Sequence, residues 1–190
     1  VDLYLIRHAD AYPLGHEDID EDAERPLSPK GVDQCPLLAQ ALQQHKVRLN
    51  ALVTSPLRRA RQTAEGILEH WSEPAPELRL CEVLAPGGKR RKLVRYLLGL
   101  GGEALGLVGH MPDLADLAGW LIGTRKAQIR LAKCGVARIS FEGEPAKGSG
   151  ELLWLLTPSW YQASPSPGEP ASVTADAEGQ NEIDSSSSEG

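Results

Sequence analysis

Cysteine is scarce in this chain: Cys35, Cys81 and Cys134 are the only three in 190 residues. Their number is odd and their spacing wide, which argues against a disulfide framework and against a cysteine-based metal site. They read as reduced core or boundary residues, the pattern expected of a cytoplasmic protein. Long hydrophobic runs are also missing. None reaches the roughly 18 residues a membrane span needs. The N-terminus has no basic segment leading into an apolar stretch, so no secretory signal is expected. Aromatics make up only 5%, and they are not interleaved with basic residues in the manner of a nucleic-acid surface.

Basic charge is absent from one whole region. From Ala163 onward there are six acidic residues and no Lys or Arg. Residues 1–162 are therefore neutral, with 20 residues of each sign, and the net charge of −6 belongs to the C-terminal segment. That segment also lacks aromatics and nearly all large apolar groups. It cannot bury enough surface to offset its ordering entropy, so 163–190 is expected to be disordered. Residues 1–162 are expected to form one domain. No internal repeat is present.

Within 1–162, strand and helix signals alternate. Apolar strands are expected at 2–6, 50–54, 104–108, 135–141 and 151–156, with a shorter one at 77–81. Helices are expected over 29–44, 56–71, 89–99 and 111–122. Ser28-Pro29 and Ser55-Pro56 both read as an N-cap followed by a proline at the first helical position. Pro36 falls inside the first helix and predicts a kink. The fold class that follows is α/β: a three-layer α/β/α sandwich with a mostly parallel sheet and an antiparallel edge. In such sheets ligands bind beyond the carboxyl ends of the strands.

Three strands end in cationic or imidazole groups: Arg7-His8, Ser55-Pro56-Leu57-Arg58-Arg59 and Gly109-His110. If these strands are neighbours, two histidines and at least two arginines share one crevice. The guanidinium fork matches phosphate oxygens, and neutral imidazole is a competent nucleophile. The combination points to a phosphoryl site.

These residues carry a resemblance. Arg7-His8-Ala9, then Ser55-Pro56-Leu57-Arg58-Arg59-Ala60-Arg61-Gln62-Thr63-Ala64, then Val108-Gly109-His110 resemble, in order, the three motifs of the histidine phosphatase superfamily, the phosphoglycerate mutase-like fold. Arg25-Pro-Leu-Ser-Pro-Lys-Gly31, Leu84-Ala-Pro-Gly-Gly88 and the compact length are similar to the small bacterial phosphohistidine phosphatases of the SixA type. Alanine at position 9 stands where most of the superfamily has glycine, and a methyl group there would crowd a phosphate approaching the backbone.

The resemblance implies an enzyme, a phosphatase without metal or cofactor. Its partner would be a phosphohistidine-bearing protein such as a histidine phosphotransfer domain, and it would act as a monomer. His8 would be the nucleophile, forming a phosphohistidine intermediate that water hydrolyses. Arg7 and Arg59 would clamp the phosphoryl oxygens, and His110 would donate a further hydrogen bond as imidazolium. Esterase members protonate the leaving oxygen with a Glu or Asp near the third strand, where Glu82 is the candidate here. Arg58 and Arg61 read as rim residues, since neighbours on a helix point about 100° apart. Asp10 reads as a loop cap or a solvated group, and the run 16–24 as a solvated acidic loop or a wall of the cleft. The basic run 89–92 opens a helix against its dipole, and the four Trp residues read as packing groups. Two other readings stay open: a phosphomonoesterase for a small metabolite, and a non-catalytic phospho-binding module.

Overall fold

A computed structural model describes residues 1–124 and 128–161. The segment 163–190, expected to be disordered, lies outside the described residues. Six strands form one sheet: β1 (Asp2–Arg7), β2 (Ala51–Thr54), β3 (Glu77–Leu80), β4 (Ala104–Gly109), β5 (Val136–Phe141) and β6 (Gly150–Leu156). Their order is β3-β2-β4-β1-β5-β6. The first four in that order run parallel, while β5 is antiparallel to both β1 and β6.

Strand periodicity divides the core in two, because successive side chains point to opposite faces. Tyr4 and Ile6 pack with Leu38 and Leu42 of α1 (Pro29–Gln44) and with Ala60, Ala64 and Ile67 of α2 (Arg58–Glu69). Leu3 and Leu5 pack with Leu93 and Leu97 of α3 (Arg90–Leu100) and with Leu114, Leu117 and Leu121 of α4 (Asp113–Leu121). This is the expected three-layer sandwich. Leu3, Leu5 and Ile6 are fully buried, each worth about 1.5–3 kcal/mol of apolar burial. Truncating Leu5 to alanine would cost about 2–5 kcal/mol, cavity included. A short helix, α5 (Pro158–Tyr161), closes over α1.

The connections place the crevice. From β1 the chain steps outward to β2 and β3 through α1 and α2, then turns back to β4 through α3. Right-handed crossovers put the returning helix on the opposite face, as observed. The carboxyl ends of β2, β4 and β1 therefore lie side by side where the direction reverses.

Several local expectations need correction. Ser55 does not cap α2. That helix begins at Arg58, with Leu57 in the cap position. The Ser55 hydroxyl accepts from the Leu57 amide at 3.3 Å, ahead of the first turn, while also meeting His110. Likewise α4 begins at Asp113 rather than Met111, because Pro112 takes the cap position. By contrast, α1 starts as expected, with Ser28 Oγ accepting from the Gly31 amide at 3.2 Å. It runs as one continuous helix through Pro36. The three cysteines are buried and free. Trp160, expected to pack, is instead 77% exposed.

Candidate active site

Arg7 ends β1 directly beside Gly109, which ends β4. The next amides are tied across the same junction. His8 N–H donates to the Gly109 carbonyl at 3.0 Å, and Ser55 N–H donates to the Val108 carbonyl at 3.0 Å. Arg7 and His8 are also held from the other side, where the Cys134 amide donates to both of their carbonyls at 3.1 Å. The sheet thus fixes the backbone on which the two histidines stand. Their rings face each other with centroids 5.2 Å apart.

The nucleophile loop is braced by α2 and α1. Ala9 N–H donates to Thr63 Oγ1 at 2.9 Å, and that hydroxyl donates to the Arg59 carbonyl at 2.6 Å. One turn of α2 therefore links the arginine to the histidine loop. Gln62 accepts from the Leu27 amide at 2.8 Å. Asp10 accepts from Ser28 Oγ at 2.5 Å and from Lys133 Nζ at 2.6 Å, fastening the loop to the start of α1. Burial pushes the Asp10 carboxyl up, but the bonds from Lys133 and Ser28 outweigh it and hold it below its ordinary value. Gly31 is needed for this approach, since a Cβ there would sit 1.9 Å from the Asp10 carbonyl oxygen.

The tautomer of His8 follows from one contact. Nδ1 lies 2.7 Å from the Ala9 carbonyl oxygen. A carbonyl can only accept, so Nδ1 carries the proton and Nε2 presents a free lone pair. Burial, opposed by the Ala9 hydrogen bond and reinforced by His110, Arg59 and Arg7, lowers the His8 pKa to about 3. The ring is neutral at physiological pH.

The groups around it are cationic or N–H donors, and several are unspent. Among the described residues, Arg7 Nε, Arg59 Nε and His110 Nδ1 are buried without a hydrogen-bond partner. Arg7 Nη1 donates to the Leu131 carbonyl at 3.0 Å. Arg59, only 4% exposed, gives Nη1 to the Asp22 carbonyl at 2.6 Å and Nη2 to Asp22 Oδ2 at 2.9 Å. His110 is oriented by Ser55, whose Oγ accepts from the Leu57 amide at 3.3 Å and lies 2.8 Å from Nε2. With no other acceptor for the hydroxyl among the described residues, its proton goes to Nε2 and Nδ1 carries the ring N–H. Buried donors left without partners are costly to a fold. A cluster of them around a neutral imidazole is the arrangement an oxyanion would complete.

Comparison with known proteins agrees with this geometry. The family model of the histidine phosphatase superfamily (branch 1) matches residues 3–85. An uncharacterized protein of Picosynechococcus sp. is 35% identical over 171 residues, covering 84% of this chain and 98% of that protein. The chain belongs to the histidine phosphatase superfamily. Its activity is that of a phosphatase, and it is of the SixA type. The phosphohistidine phosphatase SixA of Escherichia coli (strain K12) is 26% identical to this histidine phosphatase over 162 residues, covering 82% of this chain and 93% of that protein. The structure of the protein histidine phosphatase SixA complexed with tungstate superposes with a TM-score of 0.72 at 25% identity, covering 83% of this chain and 97% of that one.

In this histidine phosphatase the structure brings together Arg7, His8, Arg59 and His110, as the motifs imply. The imidazolium expected of His110 concerns the phosphoryl-bound site; the free site favours the neutral ring. Burial first, then Arg59 and Arg7 against the opposing pull of Asp22, lowers its pKa to about 4. Ala9 is fully buried in the core on the α1 and α2 face. Arg58 and Arg61 are exposed.

Glu82 stands apart. It is exposed in a single helical turn, Glu82–Leu84, beyond β3. Its carboxylate has no hydrogen bond or ion pair among the described residues, and it is not among the charges that act on His8 or His110. The carboxylate that does reach the site is Asp22, from the acidic run 16–24. Hydrogen bonds from Arg25 and then Arg59 outweigh its burial and hold it below the ordinary carboxylate range. Ser55, Thr63 and Asp22 are the site residues that sequence reasoning missed. The motif spacing carried a signal for the first two. Asp22 had only its place in a charged loop.

Proposed function

We propose that this phosphatase removes the phosphoryl group from a phosphohistidine protein through a phosphohistidine intermediate on His8. Nε2 of His8 attacks phosphorus in line, and the P–N bond of the substrate breaks. The substrate imidazole departs as a neutral ring when its distal nitrogen already carries a proton. Water then attacks phospho-His8, releases orthophosphate and returns His8 with Nδ1–H still bonded to Ala9. Arg7, Arg59 and His110 supply N–H donors where charge gathers on the equatorial oxygens. The tungstate complex of the SixA relative supports this role, because tungstate is a tetrahedral oxyanion.

One observation carries the choice of substrate. The carboxylate that contacts Arg59 in the site, Asp22, is held ionised by Arg25 and Arg59, so it has no proton to give a leaving alkoxide. An imidazole leaving group does not require one. Turnover of a phosphohistidine protein and of a panel of phosphate monoesters, measured side by side, tests this reading. The expected result is a strong preference for the phosphohistidine protein, with Glu82→Gln leaving that turnover intact. A preference for one ester, lost in Glu82→Gln, would assign Glu82 as general acid and make the protein a metabolite phosphomonoesterase.

A further inference from the structure

A groove of about 1000 Å3 runs between the start of α3 and the face of α4 and ends at His110. Its volume is at the upper end of what small-molecule sites occupy. The floor is apolar, with Leu84, Leu93, Leu114 and Leu117 buried beneath it. Its rim carries Lys89, Arg90, Arg91 and Lys92, all exposed.

Among the described residues these cations have almost no partners. None of the four forms an ion pair among the described residues. Arg90 reaches only the Asp116 carbonyl, at 3.3 Å. Asp113 and Asp116 line the same groove, yet Asp113 accepts from the Gly87 amide and neither carboxylate pairs with the rim. The first turn of α3 contains no acidic residue and has no side-chain cap. Four cations there oppose the helix dipole, so the local fold gains nothing from them. An acidic ligand would gain from both the cations and the dipole.

We infer that this groove docks an acidic stretch of polypeptide flanking the phosphohistidine of the substrate, and so selects a protein over a free phosphoester. The inference rests on the phosphohistidine reading above. His110 joins the two sites, because it both lines the groove and faces His8. A polypeptide entering along α3 delivers its phosphorylated side chain at the groove's inner end, while apolar residues cover the leucine floor.

The test uses two histidine peptides phosphorylated on the imidazole by phosphoramidate, one flanked by glutamates and one by lysines, alongside free phosphohistidine. The full chain is compared with a Lys89→Gln, Arg91→Gln, Lys92→Gln variant, which spares the Arg90 contact. The parent is expected to favour the glutamate peptide in kcat/KM by about ten-fold at low salt, through steering and charge complementarity. The variant is expected to lose that preference, with free phosphohistidine turned over as before. Turnover of both peptides without a glutamate preference, or a preference that survives in the variant, overturns the docking inference alone. Faster turnover of free phosphohistidine by the variant also overturns it, because the chain's own acidic segment 163–190 would then be the occupant. No turnover of any phosphohistidine substrate overturns the parent reading and the inference together.

Discussion

The phosphoryl pocket and the groove beside it meet at His110 but are built in opposite ways. In the pocket His8, Arg59 and His110 are at most 7% exposed, and each is fixed by a named partner: Ala9, Asp22 and Ser55. Along the groove the cations are exposed and form no ion pair among the described residues. Transition-state charge is best stabilised by desolvated donors already in place. Recognition of a partner can use surface charges that water and salt screen. Chemistry and selectivity are thereby separated in space. Pocket substitutions should change kcat on every substrate alike, and groove substitutions should change only the choice between substrates.

Arg59→Lys would test that separation most severely. Lysine keeps the charge but loses the planar fork and its bonds to Asp22. We expect kcat to fall about 10²- to 10³-fold on free phosphohistidine and on peptides, with the glutamate preference unchanged. A loss confined to peptides would merge the two regions. Ser55→Ala removes the partner that orients His110. A loss of about ten-fold in kcat is expected, comparable to one buried hydrogen bond, again equal across substrates. Asp22→Asn should act in the other direction on affinity. It weakens the internal anion that competes with phosphate for Arg59. Product inhibition by orthophosphate should tighten by about two- to five-fold, the scale of a half-exposed ion pair.

The smallest effect expected on rate is none at all. With His8 at about 3 and His110 at about 4, both rings stay neutral down to pH 5. Corrected for substrate ionisation, kcat/KM should be flat between pH 7 and 5, where an ordinary imidazole near 6.5 would titrate. Stability should not be flat. Unfolded histidines take up protons below about 6.5, whereas these two do so only near 3 and 4 in the folded state. The unfolded state therefore binds more protons across that window. The stability held by the two neutral rings is fully present above it and is lost progressively as pH falls through it. Thermal melts from pH 7 to 4 check the sign, and His8→Ala should blunt the decline.

The motifs made the strand-end residues legible because the chemistry sits at fixed offsets from buried strands. β1 and β4 are apolar on both faces, so they stand out as runs, and Arg7 and His110 mark where those runs stop. Ser55 was misread because serine before proline resembles a cap locally. Only β4, lying against β2, shows that its hydroxyl also meets His110. Asp22 was harder still. Its bond to Arg59 spans 37 residues, and nothing in an acidic run says which carboxylate folds inward. Lys133, which meets Asp10 across 123 residues, is invisible for the same reason.

The covalent step on His8 is the centre of this account, and it can be seen directly. The enzyme is mixed with a protein carrying radiolabelled phosphohistidine, quenched within one turnover, denatured and analysed for label. The account predicts transient label on the enzyme, stable to alkali and lost in acid, located on His8 and absent from His8→Ala, which also fails to turn over. Steady turnover with no labelled enzyme at any time, or label persisting in His8→Ala, would contradict it.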